Sequence, residues 1–144
     1  MKKMISTLCL VLFLMARTYS QNTVNWTPRQ LLEPAQLAGM LQGGNKPLPV
    51  IISIGPGAII PHSIPIGSVA TAEGIQKLRS ELKNIPGTAL VVIYCGCCPF
   101  EHCPNVRPAI DVLNEMNFTN FKLLNLSHNI KTDWINKGFP VLSP

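Results

Sequence analysis

Ala89-Leu90-Val91-Val92-Ile93-Tyr94-Cys95-Gly96-Cys97-Cys98-Pro99-Phe100-Glu101-His102-Cys103-Pro104-Asn105-Val106-Arg107 is the stretch that decides how this chain folds. Its first six residues are apolar, largely β-branched or aromatic, and preceded by a Pro86-Gly87 turn. A short continuous apolar run of this kind predicts a strand covered on both faces, here the centre of a sheet. Beyond the cysteines, Val106, Ala109, Ile110, Leu113 and Met116 recur at helical spacing. They predict an amphipathic helix from about Asn105 to near Asn117. The strand therefore delivers Cys95 onto a tight loop with a helix start behind it. Loop N–H groups and the helix dipole both favour an anion there. For a cysteine that anion is the thiolate, the reactive form of sulfur.

The neighbouring segments repeat the alternation of strand and helix. Leu31-Leu32 reads as a short edge strand, and Pro34 as the first residue of a helix reaching Gln42, stopped by Gly43-Gly44. Residues 49–54 read as a second buried strand. The stretch 58–66 is apolar but broken by Pro61 and Pro65, so it reads as a packed loop, with a brief strand at 67–70. Thr71 has the position of an N-cap for a helix to about Asn84, with Ile75, Leu78 and Leu82 inward. Residues 121–126 read as a further strand, and Trp134 as core. Such an order predicts an α/β fold with a mostly parallel sheet and helices on both faces. Sites in that architecture form beyond the carboxyl ends of strands, where Cys95 lies.

The first twenty residues read differently. Lys2 and Lys3 precede an almost wholly apolar run over 4–16, and Thr18-Tyr19-Ser20 offers small residues for cleavage. This pattern predicts a signal peptide over 1–20 and an exported protein, periplasmic or secreted, with no membrane span after processing. Residues 21–30 are expected to be a flexible lead-in and 31–144 the domain. With Lys2, Lys3 and Arg17 removed, the formal charge of +5 falls to +2, nine basic residues against seven acidic. No basic run remains, which excludes a nucleic-acid-binding reading.

Of five cysteines, four fall within 95–103. Disulfide scaffolds tie distant segments together, so a single local cluster points to a site. Cys95 is the candidate nucleophile. Adjacent Cys97 and Cys98 bridge each other poorly, which leaves pairs to Cys103 or Cys95, and Cys98 or Cys103 as a resolving thiol. With His102 the cluster also has soft ligands for a metal, although the spacing matches no common zinc finger. The sequence calls for no cofactor. His62 and His128 have no evident partner, and Arg107 is placed to pair with Asp111. Asn25, Asn117 and Asn125 fit the glycosylation pattern, and no function attaches to them.

The segment 94–109 resembles the rhodanese-like domain, whose central strand ends in a tyrosine-cysteine pair before an active loop and a helix with an early arginine. Ser63-Ile64-Pro65-Ile66-Gly67-Ser68 is similar to that family's hydrophobic-Ile-Pro-Gly-Ala stretch. Trp134 followed by Gly138-Phe139-Pro140-Val141 is similar to its closing motif. The resemblance covers about residues 30–142. It implies a three-layer sandwich around a five-stranded sheet. It also implies sulfur transfer: Cys95 takes a sulfane sulfur from an anion such as thiosulfate and passes it to a thiol or other thiophilic acceptor. Gly96, Cys97, Cys98 and Arg107 would then bind the anion. This chain departs from the family in a longer loop with three extra cysteines, and in lacking Asp and Arg after the earlier strand. A thiol–disulfide redox protein and a metal-binding module are the rival readings of the same cluster.

Overall fold

In the computed structural model, which describes residues 24–44 and 46–142, strands alternate with helices except between the second and third strands, which a loop joins. The predicted signal segment lies outside these residues. The elements are β1 (Leu31–Leu32), α1 (Pro34–Gln42), β2 (Val50–Ser53), β3 (Ser63–Pro65), α2 (Ala72–Leu82), β4 (Val91–Tyr94), α3 (Val106–Glu115), β5 (Phe121–Leu124) and α4 (Ile130–Asp133). The strands form one five-stranded sheet in the order β1-β5-β4-β2-β3, with every pairing parallel. The expected mostly parallel sheet is thus wholly parallel among the described residues. No described helix is long and apolar enough to cross a membrane.

Strand periodicity sorts the core into two halves. Successive side chains of a strand point to opposite faces. Val91, Ile93 and Cys95 enter the core shared with α2 and α3, while Val92 and Tyr94 enter the core shared with α1 and Trp134. The Tyr94 hydroxyl accepts the N–H groups of Ile59 at 3.1 Å and Ile60 at 3.3 Å, and lies 3.1 Å from Ser63 Oγ. Tyr94 thereby fastens the 59–63 segment on one face while Cys95 is presented on the other. Thr71 caps α2 as expected, its hydroxyl accepting from Gly74 N at 3.1 Å.

Two readings of the sequence are corrected. The strand expected at 67–70 lies instead at β3, within the stretch read as a loop, where Ser63, Ile64 and Pro65 pair with Ile51, Ile52 and Ser53. β3 is an edge strand, so the missing N–H of Pro65 can face away from the ladder, and proline does not disqualify it. The second concerns the lead-in. Trp26 is buried against Phe100, with ring centroids 5.9 Å apart, and Pro28–Gln30 form a 3₁₀ turn into β1. A large apolar ring removed from water holds these residues to the body of the domain.

Candidate active site

Cys95 follows β4 directly and is 3% exposed, and Cys103 is 4% exposed. Cys97 is exposed and Cys98 half-buried, so the cluster has a dry side and a wet side. All four are free thiols whose sulfurs lie within 4.8 Å of one another. Cys95 Sγ is 3.4 Å from Cys97 Sγ, which is 3.1 Å from Cys98 Sγ. Sulfurs around one zinc at bonds of about 2.3 Å would stand about 3.8 Å apart, so these four are also a set that could hold a soft metal ion.

The tight loop has steric causes. Ile130, at the start of α4, donates its N–H to Gly96 O at 3.0 Å. A Cβ on Gly96 would come within 3.0 Å of the Ile130 side chain. A side chain at position 96 would therefore have to push Ile130 back by a few tenths of an ångström where α4 presses on the loop. On the dry side, a Cβ on Gly55 would stand 2.4 Å from Cys95 Sγ. The sulfur occupies the space that a side chain at position 55 would take.

Asn105 organises the sulfurs. It stands at the N-cap of α3, yet its side chain makes no capping bond. Its Oδ1 accepts from Ser68 Oγ and from Ala70 N, each at 2.9 Å. With the carbonyl end so occupied, Nδ2 is turned to Cys95 Sγ at 3.5 Å and Cys103 Sγ at 3.8 Å. The amide is 4% exposed, so its orientation is set by protein groups.

These contacts choose which sulfur is ionised. The Cys103 thiol, the Cys97 N–H, Asn105 and the Cys97 thiol all donate toward Cys95, outweigh its burial and lower its pKa from 9.0 to about 5. The protons stay on the donors. Burial and the neighbouring Cys98 and Cys95 push Cys97 up to about 12, and the bond to Cys95 with burial raises Cys103 further. One thiolate held by two thiols, an amide and a backbone N–H is a preorganised nucleophile.

The arrangement predicts the effect of Asn105→Asp. Aspartate can keep the accepting role toward Ser68 and Ala70 and is favourable at a helix N-terminus. It replaces two N–H donors by negative charge beside the thiolate, which raises the Cys95 pKa. We expect alkylation of Cys95 by iodoacetamide at pH about 5, near the thiolate midpoint, to slow about tenfold or more, with the circular dichroism spectrum retained. An unchanged rate would show that Asn105 does not set the ionisation.

Other residues singled out in the sequence are used differently. The Arg107 guanidinium lies over the Trp26 ring, 5.6 Å from its centroid. Arg107 lines a cavity of about 440 Å³ with Trp26, Phe100, Glu101 and His102. Its backbone carbonyl and the Asp111 carboxylate both receive Asn25 Nδ2. His128 does have partners: Nδ1 is 3.1 Å from both Ser127 Oγ and Asp133 Oδ1. Gly55, Ser68, Ala70 and the side chain of Asn105 were not found by sequence reasoning. The one signal available was Asn105 itself, a buried polar residue two positions after Cys103 at a helix start.

No protein-family model matches the chain, and no curated protein matches it. Its structure is similar to that of a single-domain sulfurtransferase of Saccharomyces cerevisiae, with a TM-score of 0.54 and 16% sequence identity, over 81% of this chain and 95% of the yeast chain. At that identity the likeness is one of fold.

Proposed function

We propose that the chain is a sulfurtransferase in which Cys95 carries the transferred sulfur. The observation that bears most weight is the single thiolate at the carboxyl end of the central strand, held by donors from Cys97, Cys103 and Asn105. The fold shared with a yeast sulfurtransferase supports the same reading. In the first step the Cys95 thiolate attacks the outer sulfur of thiosulfate. A sulfur–sulfur bond forms on Cys95, the bond to the sulfonate breaks, and sulfite leaves with its electron pair. The donors that held the thiolate then face the persulfide anion. A thiophilic acceptor removes the outer sulfur and restores the thiolate. The donor reaches Cys95 from the wet side of the cluster, past Cys97 and Cys98, and in this reading the loop residues Gly96, Cys97 and Cys98 bind the anion. Arg107 stacks on Trp26 and adds positive charge to the neighbouring cavity. Export rests on the pattern of Lys2, Lys3 and the apolar run after them, and places this chemistry outside the cytoplasm.

The test is sulfite release. Reduced protein, freed of reductant and mixed with thiosulfate, releases one sulfite per chain. Release of none removes the proposal.

The ionisation predicts a pH profile. A lowered pKa means the anion is present above about 5 and lost as acid titrates it. Thiolate ultraviolet absorbance and the rate of sulfite release therefore rise together through pH about 5 and are flat toward neutrality. A midpoint near the ordinary thiol value of 9.0 would contradict the assigned donors.

A further inference from the structure

Once Cys95 carries a persulfide, the sulfur that can reach it from the wet side is Cys97. Its Sγ stands 3.4 Å from Cys95 Sγ, and Cys97 is the exposed member of the cluster. We propose that Cys97 resolves the Cys95 persulfide, expelling hydrosulfide and leaving a Cys95–Cys97 disulfide that an external dithiol must reduce. This rests on the sulfurtransferase reading and names the fate of the sulfur: the protein converts sulfane sulfur to hydrosulfide instead of handing it intact to an acceptor.

The step balances without an added reagent. Cys97 sulfur attacks the inner sulfur, Cys95 Sγ. The bond between Cys95 and the outer sulfur breaks, and the outer sulfur leaves with the electron pair. The Cys97 proton goes to that leaving sulfur, which departs as hydrosulfide. The two cysteines are oxidised to a disulfide and the sulfane sulfur is reduced. An external dithiol then attacks the exposed Cys97 sulfur, and exchange restores both thiols. Over one cycle, thiosulfate and a dithiol give sulfite, hydrosulfide and an oxidised dithiol.

The geometry selects Cys97 over its neighbours. A disulfide needs its sulfurs about 2.05 Å apart, so Cys97 has to close by about 1.4 Å. Cys98 Sγ is 3.1 Å from Cys97 Sγ and half-buried, so of the two sulfurs on the wet side Cys97 is the one in contact with Cys95 and the more open to a reductant. Cys103 is 4% exposed, so a disulfide between it and Cys95 would be sealed from a reductant. Cys97 carries a proton at rest; it gives the proton up as it attacks, since the thiolate is the attacking form, and the departing outer sulfur takes it.

The experiment uses the full chain, reduced and freed of reductant, with thiosulfate and no acceptor. Sulfite, hydrosulfide and intact mass are read together. Wild type is expected to release one sulfite and one hydrosulfide per chain and to lose two hydrogens in mass, with the bridge mapped to Cys95 and Cys97. Cys97→Ser keeps a hydroxyl donor and the backbone N–H beside Cys95, and is expected to release sulfite, at a reduced rate, without hydrosulfide and to keep the mass of one added sulfur. If wild type releases sulfite but holds the added sulfur, or if Cys98→Ser rather than Cys97→Ser traps it, the resolving role of Cys97 is overturned while sulfur transfer stands. No sulfite from either protein overturns both.

Discussion

Cys95→Ser releases no sulfite from thiosulfate and takes up no sulfur. A serine hydroxyl remains protonated at neutral pH, so the donors around position 95 have no anion to hold, and oxygen lacks the polarisability that makes sulfur attack sulfur. Against a thiolate already formed at pH 7, the loss is about a thousandfold or more in rate, which brings release to the background of the uncatalysed mixture. The fold is unaffected, because oxygen is smaller than sulfur and Asn105 can still donate to it. Two controls give the result its meaning. The circular dichroism spectrum and melting temperature should match wild type, and the remaining cysteines should still react with a thiol reagent. Release at the wild-type rate would move the nucleophile to another cysteine and remove the mechanism proposed here.

Gly55→Ala should slow release about a hundredfold with every reacting group still present in the chain. The added Cβ would stand 2.4 Å from Cys95 Sγ and 3.6 Å from Asn105 Nδ2. Real Cβ atoms do not approach a sulfur so closely, so one of them has to move. Gly55 follows β2, whose end is tied by the N–H of Ile54 to Tyr94 O at 2.9 Å. The backbone is therefore the stiffer partner, and the sulfur turns away from Asn105 and Cys103. A misplacement of about 1 Å at a reacting atom costs about a hundredfold in rate. The overpacking itself costs about 1–3 kcal/mol of stability, which a domain of ordinary stability survives. The expected signature is a folded protein with slow sulfite release and a Cys95 thiolate whose absorbance midpoint has moved up. Full activity in this variant would mean that the sulfur does not react from the position seen beside Gly55.

The two variants probe different kinds of information. The identity of the sulfur at the end of the central strand was legible in the chain, because a buried apolar run ending in Tyr94-Cys95 marks both the strand and its carboxyl terminus. The helix start near Asn105 was legible for the same reason: apolar spacing changes from continuous to helical there. Gly55 comes just after the stretch 49–54 read as a strand, and its closeness to Cys95 carries no signature in a stretch forty residues away. The misplacement of β3 has a similar origin. Proline argues against a strand only where both edges are paired, and the sequence does not say that Ser63–Pro65 lies at the rim of the sheet. Arg107 was expected to face an anion, but Trp26 was taken for lead-in, and without its burial the stacking partner was invisible.

Local patterning is set by near neighbours, so most of the strands and helices, the inward faces of the helices and the candidate sulfur could be read from residue spacing. The division of labour among four similar thiols could not. It depends on which sulfur lies deepest, on Ser68 and Ala70 holding the Asn105 carbonyl, and on the gap left by Gly55. Those contacts join segments from different strands and helices. Their electrostatic effect falls off over a few ångströms, so only folding brings the donors close enough to decide which proton is lost.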